Sequence, residues 1–255
     1  MPKLRFRRIT SKQLRYLLAL SYKGTNYHGW QIQPNANTVQ AEINKALGVV
    51  LQKEIKVTGS GRTDTGVHAE QQFAHFDFET NLPSRFLNGV NAVLPTDIAV
   101  HDIKQVADDF HVRYSAISRA YRYRVQFEKN AFGKEFYCLV HSGKLDVEKM
   151  NEAASILLNH IDYQSFSRVK TQVKTFDCTV SEAYWYWEDD KTLTFYVKAN
   201  RFLRGMVRTL VGTLFLVGRG SISVSDFEDI IKAKDRREAS TAIVPKGLYL
   251  VEVNY

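Results

Sequence analysis

Gly59-Ser60-Gly61-Arg62-Thr63-Asp64-Thr65-Gly66-Val67-His68-Ala69 sets three glycines around one carboxylate. Glycine reaches backbone conformations closed to other residues, so this run reads as a tight loop. A carboxylate in such a turn can project into a cleft. Arg62, two residues away, can hold it ionised or meet a substrate phosphate. The plainer reading is that Asp64 bonds the backbone of its own turn, as turn aspartates commonly do. Spacing alone leaves both readings open. The loop is not a phosphate-cradling Walker motif, because no Gly-Lys-Ser/Thr follows, and it lacks the third glycine of a dinucleotide fingerprint. Asp64-Thr65-Gly66 does spell the aspartic-protease triplet. Such an enzyme needs two carboxylates sharing a proton. This chain has a single Asp-Thr-Gly, so a dimer would have to supply the second, and an arginine beside it works against a shared proton.

Strand patterns flank the loop, at 55–58 before it and 71–78 after it. Working outward, 15–22 reads as a strand closed by the turn Lys23-Gly24-Thr25-Asn26. A helix is expected over 38–52, with Asn37 and Gln40 at capping-box spacing and Val39, Ile43, Ala46, Leu47 and Val50 on one face. Beyond the loop come a helix over 84–93 stopping near Pro95, a strand over 98–106 and a long strand over 119–127. The second half repeats the theme. It offers a helix over 147–159, a hairpin of 178–187 and 193–199 around Asp189-Asp190, helices over 202–217 and 226–233, and a last strand over 248–253. Strands and helices mix without regular βαβ alternation, which favours an α+β fold over a doubly wound sheet. The expected division is a basic arm over 1–14, an N-terminal half over 15–130 carrying the Asp64 loop, and a C-terminal half over 131–255 carrying an arginine-bearing helix.

The chain has 255 residues and is 44% hydrophobic, enough for a sizeable core. Lys and Arg total 35 against 27 Asp and Glu, and a formal net charge of +8 suits a polyanion such as RNA or DNA. No acidic residue precedes Glu42, whereas Lys3, Arg5, Arg7, Arg8, Lys12, Arg15 and Lys23 all do. That arm reads as a phosphate contact or as a solvated tail. A strand pattern beginning by Arg15 leaves little room for a removable leader. No apolar run is long enough to span a bilayer. Cys138 and Cys178 have no metal-type spacing, and two cysteines in this length suggest a reducing compartment, with both residues in the core. His68, His75, His101 and His111 form no cluster at ligand spacing.

Read as a helix, 202–217 places Arg201, Arg204 and Arg208 within roughly 60° of one another. Phe202, Leu203, Met206, Leu210, Leu214 and Val217 take the opposite side. The planar guanidinium fork suits phosphate and carboxylate, so the stripe points to anion recognition, with a solvated charged face as its rival. Strand 119–127 sets Arg119, Tyr121, Tyr123 and Val125 against Ala120, Arg122, Arg124 and Gln126. An aromatic on a wet strand can stack on an unpaired base. Tyr184 to Trp187 and Trp30 read as packing.

Taken together, these segments resemble the TruA family of pseudouridine synthases. The loop Gly61 to Ala69 matches that family's Gly-Arg-Thr-Asp-x-Gly-Val-His catalytic loop. Tyr27-His28-Gly29-Trp30-Gln31, Val90-Asn91-Ala92-Val93-Leu94-Pro95, Phe110-His111-Val112-Arg113 and Arg119-Ala120-Tyr121-Arg122-Tyr123 match further signatures. Asp162 to Phe166, Asn200 to Arg208 and Gly247-Leu248-Tyr249-Leu250 complete an ordered set. Thr65 stands where many relatives carry Ala, which leaves Asp, Gly and Arg in place. The resemblance implies a pseudouridine synthase fold, with a central, mostly antiparallel mixed sheet, flanking helices and two similar halves around a basic cleft. It implies a cytoplasmic homodimer acting on tRNA, with no cofactor, no metal and no membrane. Its targets would be uridines 38–40 of the anticodon stem-loop, flipped out at a cost of a few kcal/mol. By position, Asp64 is the essential carboxylate, as nucleophile at the sugar or base at C2′. Tyr121 stacks near the flipped base and assists loss of the C5 proton. Arg208 pairs with Asp64 and keeps it ionised, Arg62 assists base extrusion, and Arg201 and Arg204 meet phosphate. The alternative on the same scaffold is a catalytically inert tRNA-binding or RNA-folding protein.

Overall fold

A computed structural model describes residues 13–140, 145–169 and 173–255. The basic arm, except for Gln13 and Leu14, lies outside the described residues. The chain runs through β1 (Leu14–Tyr22), α1 (Val39–Leu51), β2 (Thr58–Gly59), β3 (His68–Phe78), α2 (Phe86–Val93) and β4 (Ile98–Val106). It continues with β5 (Ser118–Gln126), β6 (Cys138–Leu139), α3 (Val147–Ile156), β7 (Val180–Trp187), β8 (Thr192–Ala199), α4 (Met206–Gly218), α5 (Val224–Ala233) and β9 (Leu248–Asn254).

The strands form one sheet in the order β4-β1-β3-β9-β5-β8-β7, with β2 on β3 and β6 on β5. Pairings are antiparallel except β3 with β9 and β5 with β6, so the fold is the α+β class with a mixed, mostly antiparallel sheet. Two apolar clusters cover its helical face. One gathers Leu18, Leu20 and Tyr22 of β1 with α1 and α2. The other gathers Tyr123 and Val125 of β5 and alternate residues of β8 with α3, α4 and α5. Leu248 and Leu250 of β9 share a parity but pack into different clusters, which puts both helix groups on the same side. Tyr121 touches both clusters and so marks the seam between them.

Several boundaries differ from the sequence expectation. Strand 55–58 reduces to the two-residue β2, because Ile55 and Val57 turn into the core instead of pairing in line. The helix expected over 84–93 begins at Phe86, after Arg85 in a left-handed conformation. Residues 157–159 tighten into a 3₁₀ turn, and Cys178 precedes its strand. The capping box of Asn37 and Gln40 does not form: the cap is Thr38, with no side-chain cap bond. Gln40 is recruited elsewhere. Its Oε1 accepts from Gln31 Nε2 at 2.8 Å and Ile32 N at 3.0 Å, and its Nε2 donates to Val57 O at 2.8 Å. Three tertiary bonds outcompete one local cap. The largest correction is α4, which starts at Met206 and not at residue 202. Gly205 holds φ +75° and breaks the helix there. Arg201 and Arg204 therefore precede the helix, and the three-arginine helical stripe does not exist.

Candidate active site

The Asp64 loop is held on every side by groups that the apolar pattern alone does not reveal. Tyr22 and Thr63 share a hydroxyl–hydroxyl bond of 2.8 Å, and Trp30 N donates to Thr63 O at 3.2 Å. Gln72 bonds Ser60 Oγ and donates to Gly61 O at 3.2 Å. His68 accepts from Gly24 N at 3.1 Å through Nδ1, so its Nε2 carries the proton shared with Glu135 O and Lys246 O. Burial lowers the His68 pKa, which keeps that neutral tautomer in place. Two glycines give the loop its room. A Cβ at Gly59 would meet the Trp30 ring at 2.5 Å, and Gly29, at φ +87°, lies where a Cβ would meet Thr63 O at 2.5 Å. Trp30 is thus packing, as its sequence context suggests, and its packing shapes the loop.

From this frame Asp64 reaches across the seam to α4. Its Oδ2 lies 3.4 Å from Arg208 NH1, with both side chains partly exposed. Arg208 is fixed by its other edge, where Nε donates to Ile243 O at 2.6 Å. Ile243 N in turn donates to Arg208 O at 3.2 Å. Tyr121 completes the group. Its ring meets Phe202 edge to face at 5.0 Å, and burial, opposed by the Arg119 charge and helped by a smaller push from Asp64, raises its pKa to about 12. Opposite Ala120/Tyr121 the extra residue of a bulge, Val251, lies on β9, so Leu250 stands beside Tyr121 while Val253 stands beside Arg119.

Asp64, Arg208 and Tyr121 therefore converge, while the other sequence candidates stand apart. Arg62 and Arg204 are exposed and Arg201 half-buried. None of them makes a side-chain hydrogen bond or ion pair among the described residues. Arg168 N donates to Arg204 O at 3.0 Å, which brings a further exposed arginine beside Arg204. On β5, Arg122 pairs with Glu70 and Glu188, and Arg124 with Glu188. These arginines point away from the helices and are already neutralised. Asp64 lies beside a guanidinium, which works against the shared proton that the protease reading needs. No group of three or more His, Cys, Asp or Glu among the described residues is placed to hold a metal ion. Cys138 and Cys178 are buried and free.

Sequence reading missed Arg119. Its NH2 donates to Ser60 O at 2.9 Å and Arg113 O at 2.7 Å, and its NH1 to Asn200 O at 3.0 Å. The signal was present: Arg119 shares strand parity with Tyr121 and Tyr123, and a charge on that side must find carbonyls. The role of Ile243 O left no signal, since any residue offers a carbonyl.

This arrangement places a carboxylate beside a cation, at the foot of a neutral phenol, between two walls from distant parts of the chain. Known proteins resemble this chain in sequence over nearly its whole length. A family profile described as tRNA pseudouridine synthase matches residues 18–115 and 139–255. A tRNA pseudouridine synthase A of Bacteroides thetaiotaomicron is 46% identical over 244 residues, covering 94% of this chain and 90% of that protein. The same-named proteins of Porphyromonas gingivalis and Listeria monocytogenes are 42% and 40% identical, each over 94% of this chain and covering 97% and 99% of theirs. On this match, the chain belongs to the tRNA pseudouridine synthase family.

Proposed function

We propose that this chain isomerises uridine to pseudouridine in the anticodon arm of tRNA, with Asp64 as the reacting carboxylate. The observation that carries the reading is the Asp64–Arg208 contact of 3.4 Å, made across the seam beside Tyr121. Substrate and product are isomers, so no electron donor or acceptor is consumed. The N1–C1′ bond breaks, the base turns, a C5–C1′ bond forms, the C5 proton leaves to solvent and N1 gains one. Asp64 either attacks C1′ or removes the C2′ proton, and both routes need it unprotonated and within reach of the sugar. Arg208 stabilises the carboxylate and holds it still. Tyr121, with a pKa raised to about 12, keeps its proton at neutral pH and offers a flat stacking surface to the extruded base. Arg62, Arg201 and Arg204 face phosphate, consistent with their making no side-chain hydrogen bond or ion pair among the described residues. A homodimer in the cytoplasm, with halves 15–130 and 131–255 forming the cleft walls, belongs to the same proposal and rests on the likeness to relatives.

The test is tritium release from C5-labelled uridine in unmodified tRNA. Wild type should release label, and Asp64→Asn should lose release while still binding tRNA. Equal rates from both proteins would remove Asp64 from the reaction.

A further inference from the structure

The Asp64–Arg208 pair is not the only contact that crosses the seam close to Asp64. Another is made by Arg119 at the start of β5. Its guanidinium holds three carbonyls from three separate segments and, among the described residues, no carboxylate. Ser60 lies four residues before Asp64, in the same loop. Asn200 opens the segment that runs through Arg201 and Arg204 into α4 and so to Arg208. Asn200 is itself pinned, its N donating to Thr179 O at 3.1 Å and its Oδ1 accepting from Thr179 N at 2.9 Å. Arg113 belongs to a third segment, the turn that follows Phe110.

We propose that Arg119 is a positioning residue: by clamping Ser60 O and Asn200 O it sets the separation of Asp64 from Arg208. The proposal rests on the function argued above. Only a planar fork with several donors can span three carbonyls at fixed angles; an ammonium is a point charge without that geometry. Burial lowers the Arg119 pKa, the expected mark of a cation held by dipoles without a counter-ion. The contact it governs is a sensitive one. At 3.4 Å the Asp64–Arg208 pair is already at the long end of hydrogen-bond range, and misplacement by about 1 Å can cost about a hundredfold in rate.

The experiment measures kcat and KM for tritium release from C5-labelled tRNA, with tRNA Kd by filter binding and folding by circular dichroism. The proteins are full-length wild type, Arg119→Lys, Arg208→Lys and the double variant. For Arg119→Lys the expected result is a fall in kcat of about 10- to 100-fold, with Kd within about twofold of wild type. The double variant should be no slower than the worse single one, because both changes disturb the same pair. A kcat within about twofold of wild type, or losses that multiply in the double variant, would overturn the clamp. Should the lysine variant fail to fold, Arg119→Gln, which keeps an amide donor pair, takes its place with the same outcomes. Wild type without release on unmodified tRNA would overturn the function and the clamp together; an active wild type with indifferent Arg119 variants overturns the clamp alone.

Discussion

His75 lies on β3 with 6% of its surface exposed, and its Nδ1 accepts from Val112 N at 3.2 Å. Burial first, then Arg15 and His111, push its pKa down to about 4, against a small opposing pull from Asp77. The unfolded chain takes up this proton near pH 6.5, well before the folded one. Stability from this group is therefore complete above about pH 6.5 and declines as pH falls towards 4, by a total on the order of 3 kcal/mol. Urea unfolding at pH 7.0 and 4.5 should show that loss, and His75→Gln should flatten it; an equal slope in the variant would assign the dependence to other groups. His75 was visible in the sequence only as a strand histidine without a metal cluster. Asp64 and Arg208 were legible as residues, the first from its glycine loop and the second from its apolar helix. Their 3.4 Å contact was not, because 144 residues separate them and only the resemblance joined them. Arg119 shows the complementary failure. Its parity was read correctly, but parity says which way a side chain points and nothing about the carbonyls waiting there.

Elements were legible where one physical cause dominated. β4 keeps its expected bounds, and β1, β5, β8 and β9 shift by a residue, because alternation against a buried face is a strong and local signal. Boundaries failed where tertiary bonds or a single glycine overruled periodicity, at Gln40 and above all at Gly205. The apolar positions of 202–217 do fit a helical wheel, yet Phe202 is drawn out of it to meet Tyr121. Gly205 and Gly29 separate two kinds of glycine requirement. Both have positive φ, but nothing lies within 4 Å of a Cβ at Gly205, whereas a Cβ at Gly29 would sit 2.5 Å from Thr63 O. Gly205→Ala should cost only the backbone strain, about 1–2 kcal/mol, and leave kcat close to wild type. Gly29→Ala adds a backbone clash beneath the Asp64 loop, so a larger destabilisation, about 2–4 kcal/mol, should come with a marked loss of kcat. Denaturant midpoints and tritium-release rates on the two variants check this. Equal behaviour would mean that the loop yields to Gly29 without moving Asp64.

The whole molecule sorts its cations by face, and that sorting carries the last prediction. On the sheet face turned from the helices, Arg122 and Arg124 pair with Glu70 and Glu188, and Lys198 pairs with Glu182 and Glu252. Around the seam, Arg62, Arg113, Arg168 and Arg204 are exposed and make no ion pair among the described residues. A net charge of +8 does not say where the surplus lies; on the face turned from the helices, Glu70, Glu182, Glu188 and Glu252 are taken up by Arg122, Arg124 and Lys198. Composition disclosed the surplus; only the fold discloses which arginines lack an ion pair among the described residues. Each free arginine that meets a phosphate releases counterions on binding, steepening the dependence of log K on log salt by about 0.7–0.9 per contact. Arg204→Ala and Arg168→Ala should each flatten the salt dependence of tRNA binding by roughly that amount and weaken binding at low salt. Arg122→Ala should leave the slope unchanged, since its charge is already spent on Glu70. Filter binding across a salt series decides between the faces. A slope that falls with Arg122 and holds with Arg204 would put the tRNA on the opposite side of the sheet, away from Asp64, and would undo the proposed reaction with it.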